Sequence, residues 1–280
     1  MTRKQKQNHR YNGYRNSGCQ KNNGSRKILP VIYPVFLYFV VCQIVNMLME
    51  LFPLAAQIDA VKRQGLGSLV AFMVLYICYV RPEAAESGEK KRVFAVPVSG
   101  RLAAGMAVGV LMLGCAGIAM NNLIALTNLR QISDRYQTVE QAFYSSGLGW
   151  EILALGLITP VAEELLYRYI VFYRLRSLTG SAGAVVGSAI IFGLIHLNIV
   201  QTIYACTLGL LLGILMEYYQ DVRVPVCGHI AANILSLLRG ETGFLAGLQP
   251  GDALFVPMTV ILLVVVVIIA GLYVRTFKKS

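Results

Sequence analysis

The sequence predicts an all-α protein, a polytopic transmembrane helix bundle of about eight spans. Two compositional facts point there: 56% of the 280 residues are hydrophobic and only 14% are charged, whereas soluble domains carry roughly 25% charge. The third observation is distribution. Apolar residues gather into runs that reach, or nearly reach, the about 20 helical residues needed to cross a bilayer core. These runs cover 30–54, 66–80, 102–126, 148–172, 182–199, 201–219, 224–238 and 253–274. The fifth and seventh are short, which suits segments that line a cavity inside the protein and do not face lipid.

Residues 1–27 hold eight Lys or Arg and no acid among Asn, Gln, Ser and Gly, a composition that cannot bury a core and predicts a disordered basic tail. The apolar run that follows is far longer than the 7–15 residues of a signal-peptide core, so it is read as an uncleaved first span. Residues 28–147 then carry three spans with their loops, 148–240 a core of four, and 241–280 the last span with a short basic tail.

The formal net charge is +11. Its placement excludes a nucleic-acid reading, because the cations lie in the tail and in loops beside apolar runs. With the N-terminus inside, the cytoplasmic loops carry Arg81, Lys90, Lys91, Arg92, Arg101, Arg174, Arg176, Arg223, Arg275, Lys278 and Lys279, against Lys62, Arg63, Arg130, Arg135 and Arg239 outside. The bias predicts a multi-pass protein of the cell membrane with both termini cytoplasmic, its partner the lipid bilayer. Gly105/Gly109, Gly183/Gly187 and Gly209/Gly213 have the small-xxx-small spacing that lets helix backbones approach. The six cysteines form no CxxC pair and read as reduced thiols.

Inside the fourth run stand Glu163, Glu164 and Arg168. An ionisable residue at a membrane helix centre costs about 2.5–3.5 kcal/mol on insertion scales, so three together mark a protein interior or a wet cavity. Arg168 lies four residues after Glu164 and can neutralise it, which leaves Glu163 as the freer carboxylate and a candidate general base. A buried ion pair locking two helices is the structural alternative. His196 and His229 fall in later runs, and Phe192/His196 and His229/Asn233 are each four residues apart, so each pair shares a helix face. A histidine and an asparagine on one face can both donate to a single developing oxyanion.

The ordered set Glu-Glu-x-x-x-Arg, Phe-x-x-x-His and His-x-x-x-Asn, on separate helices over about 148–240, resembles the CPBP or Abi family of type II CAAX prenyl endopeptidases and bacteriocin-processing or immunity proteins. The resemblance implies an intramembrane endopeptidase with a conical or cavity-containing catalytic core, acting on a membrane-associated peptide or lipidated protein. It implies that Glu163 and His196 hold and deprotonate a water, that His229 and Asn233 stabilise the oxyanion, and that Glu164, Arg168 and Phe192 support them. A Zn²⁺ held by Glu163, His196 and His229 is compatible with that residue set, but the helical His-Glu-x-x-His signature is absent, and a cofactor-free glutamate mechanism is favoured. A non-proteolytic immunity, scaffold or binding protein and a proton-coupled transporter remain as alternatives. Simple alternation of the spans puts His229 near a cytoplasmic end and His196 near an outer one; the expectation is a site shallowly buried on the cytoplasmic side.

Overall fold

Residues 24–51, 58–82, 97–245 and 247–277 are described by the computed structural model, and every regular element among them is helical. The expected tail therefore lies outside the described residues except for its last four, which begin the first helix. Helix α1 is Gly24–Leu51, and α2 is Ala60–Leu75 extended by a π-helical turn, Tyr76–Val80. Helix α3 is Gly100–Ala125 and α4 the short Asp134–Phe143. The continuous helical run Leu148–Leu194 breaks at Gly180, whose φ of 76° is open to glycine at no steric cost; it is described as α5, 148–179, and α6, 181–194. Helices α7, α8 and α9 are Ile199–Tyr219, Arg223–Thr242 and Phe255–Phe277.

Six helical runs among the described residues are long and apolar enough to cross a membrane. One of them, Leu148–Leu194, holds two expected spans, because the chain folds back at Gly180: Gly183 lies against Thr179 and Gly187 against Leu175. The seventh expected segment, α8, falls short of that apolarity and packs inside. Large apolar side chains on the outside, such as Val256, Val260, Ile261, Val264, Val267 and Ile268 on α9, have no aqueous explanation and form a lipid-facing surface.

Small residues set the closest approaches. An added Cβ on Gly228 of α8 would lie 2.9 Å from the Gly109 carbonyl of α3, and one on Gly209 of α7 would lie 3.0 Å from Ala189 Cα of α6. All of these contacts are within one chain. Gly228→Val must push α3 and α8 apart, and overpacking of this kind costs about 1–3 kcal/mol. The unfolding midpoint in detergent is expected to fall by several degrees, and an unchanged midpoint would contradict the packing described.

The two ends of the bundle are fixed by specific contacts. At one end the Arg174 guanidinium donates to the Pro30 carbonyl at 2.7 Å, an acceptor left free because its helical donor would be Pro34, which has no N–H. The same end holds the bidentate Arg176–Glu217 pair at 2.7 and 2.8 Å, Arg101 against Tyr218 and Tyr219, and the Tyr219–Tyr273 hydroxyl pair at 2.8 Å. At the other end Asp59 caps α2 by accepting from the Lys62 N–H at 3.1 Å and is bonded by the Ser146 hydroxyl. Asn122, buried on α3, donates to Thr259 of α9 at 2.7 Å, and Arg239 donates to Asn122 at 2.5 Å and to the Leu248 carbonyl at 2.5 Å.

Candidate functional site

The glutamates sit on a short α-helical stretch of α5, Thr159–Glu164, between two π-helical turns, Ile152–Ile158 and Leu165–Val171. π-Turns inside helices are uncommon and frequent at functional sites, because they leave carbonyls without their helical donors. That happens here at Leu155. Its α-helical donor, the Thr159 N–H, bonds Ala154 instead, and its π-helical donor would be Pro160, which has none. The Asn233 side chain of α8 takes the vacated place and donates to the Leu155 carbonyl at 2.9 Å. One amide N–H of Asn233 is thereby spent on orientation, and the other, with its oxygen, is left for the cavity.

Glu164 is fully buried. One of its oxygens accepts from His229 Nδ1 at 2.9 Å, and the other lies 3.2 Å from Arg168 Nε. The sequence pairing of Glu164 with Arg168 is present, but the carboxylate also reaches α8, a contact no i,i+4 rule announces. Glu163 stands apart, with its Oε2 3.8 Å from His229 Nε2 and its side chain 14% exposed. It is the carboxylate that lines the cavity.

Phe192 organises the remainder. Its ring packs edge to face on His196 at 5.4 Å, on His229 at 5.6 Å and on Tyr167 at 5.0 Å, and the Arg168 guanidinium lies 5.3 Å from its centre. The Arg168 side chain makes no hydrogen bond among the described residues, and its charge is met by the Glu164 ion pair and the ring. The Phe192 carbonyl takes the His196 Nδ1 at 2.9 Å. A carbonyl only accepts, so Nδ1 carries the proton and Nε2 of the neutral ring is a lone pair. By the same logic His229, whose Nδ1–H serves Glu164, donates through Nε2 only as the imidazolium.

Glu163, Phe192, His196, His229 and Asn233 line one cavity of about 450 Å³. The structure brings both histidines there because α6 is short: its fourteen residues span roughly 21 Å at ~1.5 Å each, less than the ~30 Å of a bilayer core. His196, two residues past the end of α6, therefore stops short of a full span, where it shares the Phe192 ring with His229 of α8. No hydrogen bond joins Glu163 to His196 or Asn233 among the described residues. Among the described residues, no group of three His, Cys, Asp or Glu side chains is drawn together closely enough to hold a metal ion.

The cavity reaches the end of the bundle away from the clustered arginines. Its walls include Asn46, Gln64, Asn121 and Gln201, together with Tyr136, Glu140 and Tyr144 from α4 and its flank. These belong to the Asp59 and Asn122 end of the bundle, opposite the end where Arg101, Arg174, Arg176 and Arg223 gather. A shallow site at the basic end is thus not what the structure holds. Burial raises the Tyr136 phenol above its ordinary range, a shift that Arg130 opposes and Glu140 reinforces, and its O–H donates to Glu140 at 2.9 Å.

Sequence reasoning missed a buried hydroxyl chain beside the glutamates. Tyr38, Ser68 and Thr159 are linked at 3.1 Å and 3.1 Å across α1, α2 and α5, with Gln64 donating to Ser68 at 3.3 Å. Only fragments were available beforehand: Thr159 precedes Glu163 by four residues, as Gln64 precedes Ser68. Among known proteins, residues 145–235 match the family model described as type II CAAX prenyl endopeptidase Rce1-like. No curated protein and no solved structure matches the chain.

Proposed function

We propose, from the match of residues 145–235 to the type II CAAX prenyl endopeptidase Rce1-like family model, that the chain hydrolyses an internal peptide bond of a membrane-associated polypeptide without a metal. The observation that carries this reading is the convergence of a partly exposed carboxylate, a neutral imidazole lone pair and two potential N–H donors on one cavity. In this mechanism His196 Nε2 and Glu163 hold the attacking water. Glu163 takes one of its protons as the new C–O bond forms. The oxyanion receives hydrogen bonds from the Asn233 amide and from His229 Nε2, the latter charged and held by Glu164. Collapse breaks the C–N bond, and Glu163 returns its proton to the departing amine.

Proteolysis by purified protein in detergent, followed by mass spectrometry on a peptide library that includes lipidated C-terminal peptides, tests this. Wild-type cleavage is expected to persist in chelator, and His196→Ala to reduce it by about 10²–10⁴-fold, the range for a group that assists proton transfer. Loss on chelation and recovery with stoichiometric zinc would replace the glutamate mechanism by a metal one. Full activity in His196→Ala would remove the histidine from the chemistry.

The membrane orientation belongs to the same proposal. The eight cations of residues 1–27 and the gathering of Arg81, Arg101, Arg174, Arg176, Arg223 and Arg275 at one end of the bundle support both termini being cytoplasmic.

A further inference from the structure

The cavity and the basic loops occupy opposite ends of the same bundle. Among the described residues, the end shared by Gly24, Pro82, Gly180 and the 220–222 turn carries eight Lys or Arg and the other end five; the sequence holds eleven more in 1–23, 83–96 and 278–280, which continue the chain from the first end. Three of those five are engaged within the protein: Lys62 with Asp59 at 2.7 Å, Arg130 with Glu140 at 3.6 Å, and Arg239 with Asn122 and the Leu248 carbonyl. The cation bias that sets membrane orientation thus points the basic end inward. The residues that rim the cavity lie at the opposite end, where α4 packs across the helix ends.

We infer that the substrate enters from the non-cytoplasmic face, as a polypeptide segment already carried across or inserted into the membrane. This rests on the endopeptidase reading for the identity of the chemistry, but not for the side of the entrance. The reaction that supplies the substrate is then export or insertion of a polypeptide, and not modification of a cytoplasmic C-terminal tail. The rim chemistry agrees. Gln43, Asn46, Gln64, Asn121 and Gln201 present neutral amides, each able to donate to a peptide carbonyl and accept from a peptide N–H. No lysine or arginine is among the described residues lining the cavity, so the carboxylate of a chain end close to the scissile bond would compete with the oxyanion for His229.

Single cysteines at Asn46, Gln201 and Ser177, each in a variant whose six native cysteines are replaced, report the side directly. With a membrane-impermeant maleimide, Asn46→Cys and Gln201→Cys are expected to label in intact cells at least tenfold faster than Ser177→Cys, and the order is expected to invert in inside-out vesicles. The opposite pattern overturns the inference. Should the cysteine-free background fail to fold, a fluorescent protein that matures only in the cytoplasm, fused after Ser280 of the otherwise native chain, replaces it; a dark fusion of full length overturns the inference and a bright one supports it. Impermeant library peptides, each in free-acid and amidated form, are then offered to spheroplasts and to inside-out vesicles. Cleavage by spheroplasts that is absent in Glu163→Gln, and at least tenfold faster for the amides, is the expected result; cleavage confined to inside-out vesicles refutes it. Labelling from outside with no cleavage by wild type even in detergent would sink the protease reading while leaving the entrance where it is assigned.

Discussion

Glu163→Gln is expected to lower peptide cleavage by about 10²–10⁴-fold while leaving the unfolding midpoint in detergent nearly unchanged. The reasoning is one of availability. Both oxygens of Glu164 are engaged, one by His229 and one beside Arg168, and its side chain is wholly buried. Glu163 has only the 3.8 Å approach to His229 Nε2, and its side chain retains 14% exposure on the cavity wall. A glutamine keeps the shape of the side chain but cannot accept a proton, which removes general-base catalysis, an effect of about 10²–10⁴-fold. Glu164→Gln should show the complementary phenotype: a smaller loss of turnover, because the oxygen of the introduced amide still accepts from His229, and a larger loss of stability. If Glu164→Gln proved the more inactive and Glu163→Gln the less stable, the two carboxylates would have been assigned the wrong way round.

How far the sequence carried this picture depended on whether a feature was local. The four-residue spacings were legible, because any helix must place Phe192 beside His196 and Glu164 beside Arg168. The bundle was legible too, since apolar runs of that length have few other solutions. Contacts between helices were not. Nothing in the spacing says that Glu164 reaches His229 on α8, or that Tyr38, Ser68 and Thr159 meet. The Asn233 bond to Leu155 depends on a π-turn that removes one helical donor and on Pro160, which removes the other; only the proline was visible beforehand. The end of the fifth run was misjudged for a similar reason. Read as 182–199, it stops as α6 at Leu194, with His196 just past that end. The cavity wall is built partly by α4, whose polar sequence gave no membrane signal.

Arg168→Ala is expected to destabilise the protein by about 3–5 kcal/mol, the range seen when one partner of a buried ion pair is removed, and to lower the midpoint in detergent by on the order of 10 °C. Arg168 has no exposure at all and sits between the Glu164 carboxylate, 3.2 Å away, and the Phe192 ring. Removing it leaves Glu164 buried opposite a cavity the size of a guanidinium, with His229 as its sole polar contact, and withdraws one wall of the ring that positions both histidines. Turnover should therefore fall as well, but as a consequence of looseness, and cooling should recover part of it. The double variant Glu164→Gln with Arg168→Met separates charge from packing. It carries no unpaired charge and fills most of the volume, so its midpoint should lie above that of Arg168→Ala, by an interaction energy of about 1–3 kcal/mol in the cycle. A midpoint for Arg168→Ala equal to that of wild type would mean that the guanidinium contributes nothing to holding α5 against α6, and the role given to Phe192 as the common support of the site would fall with it.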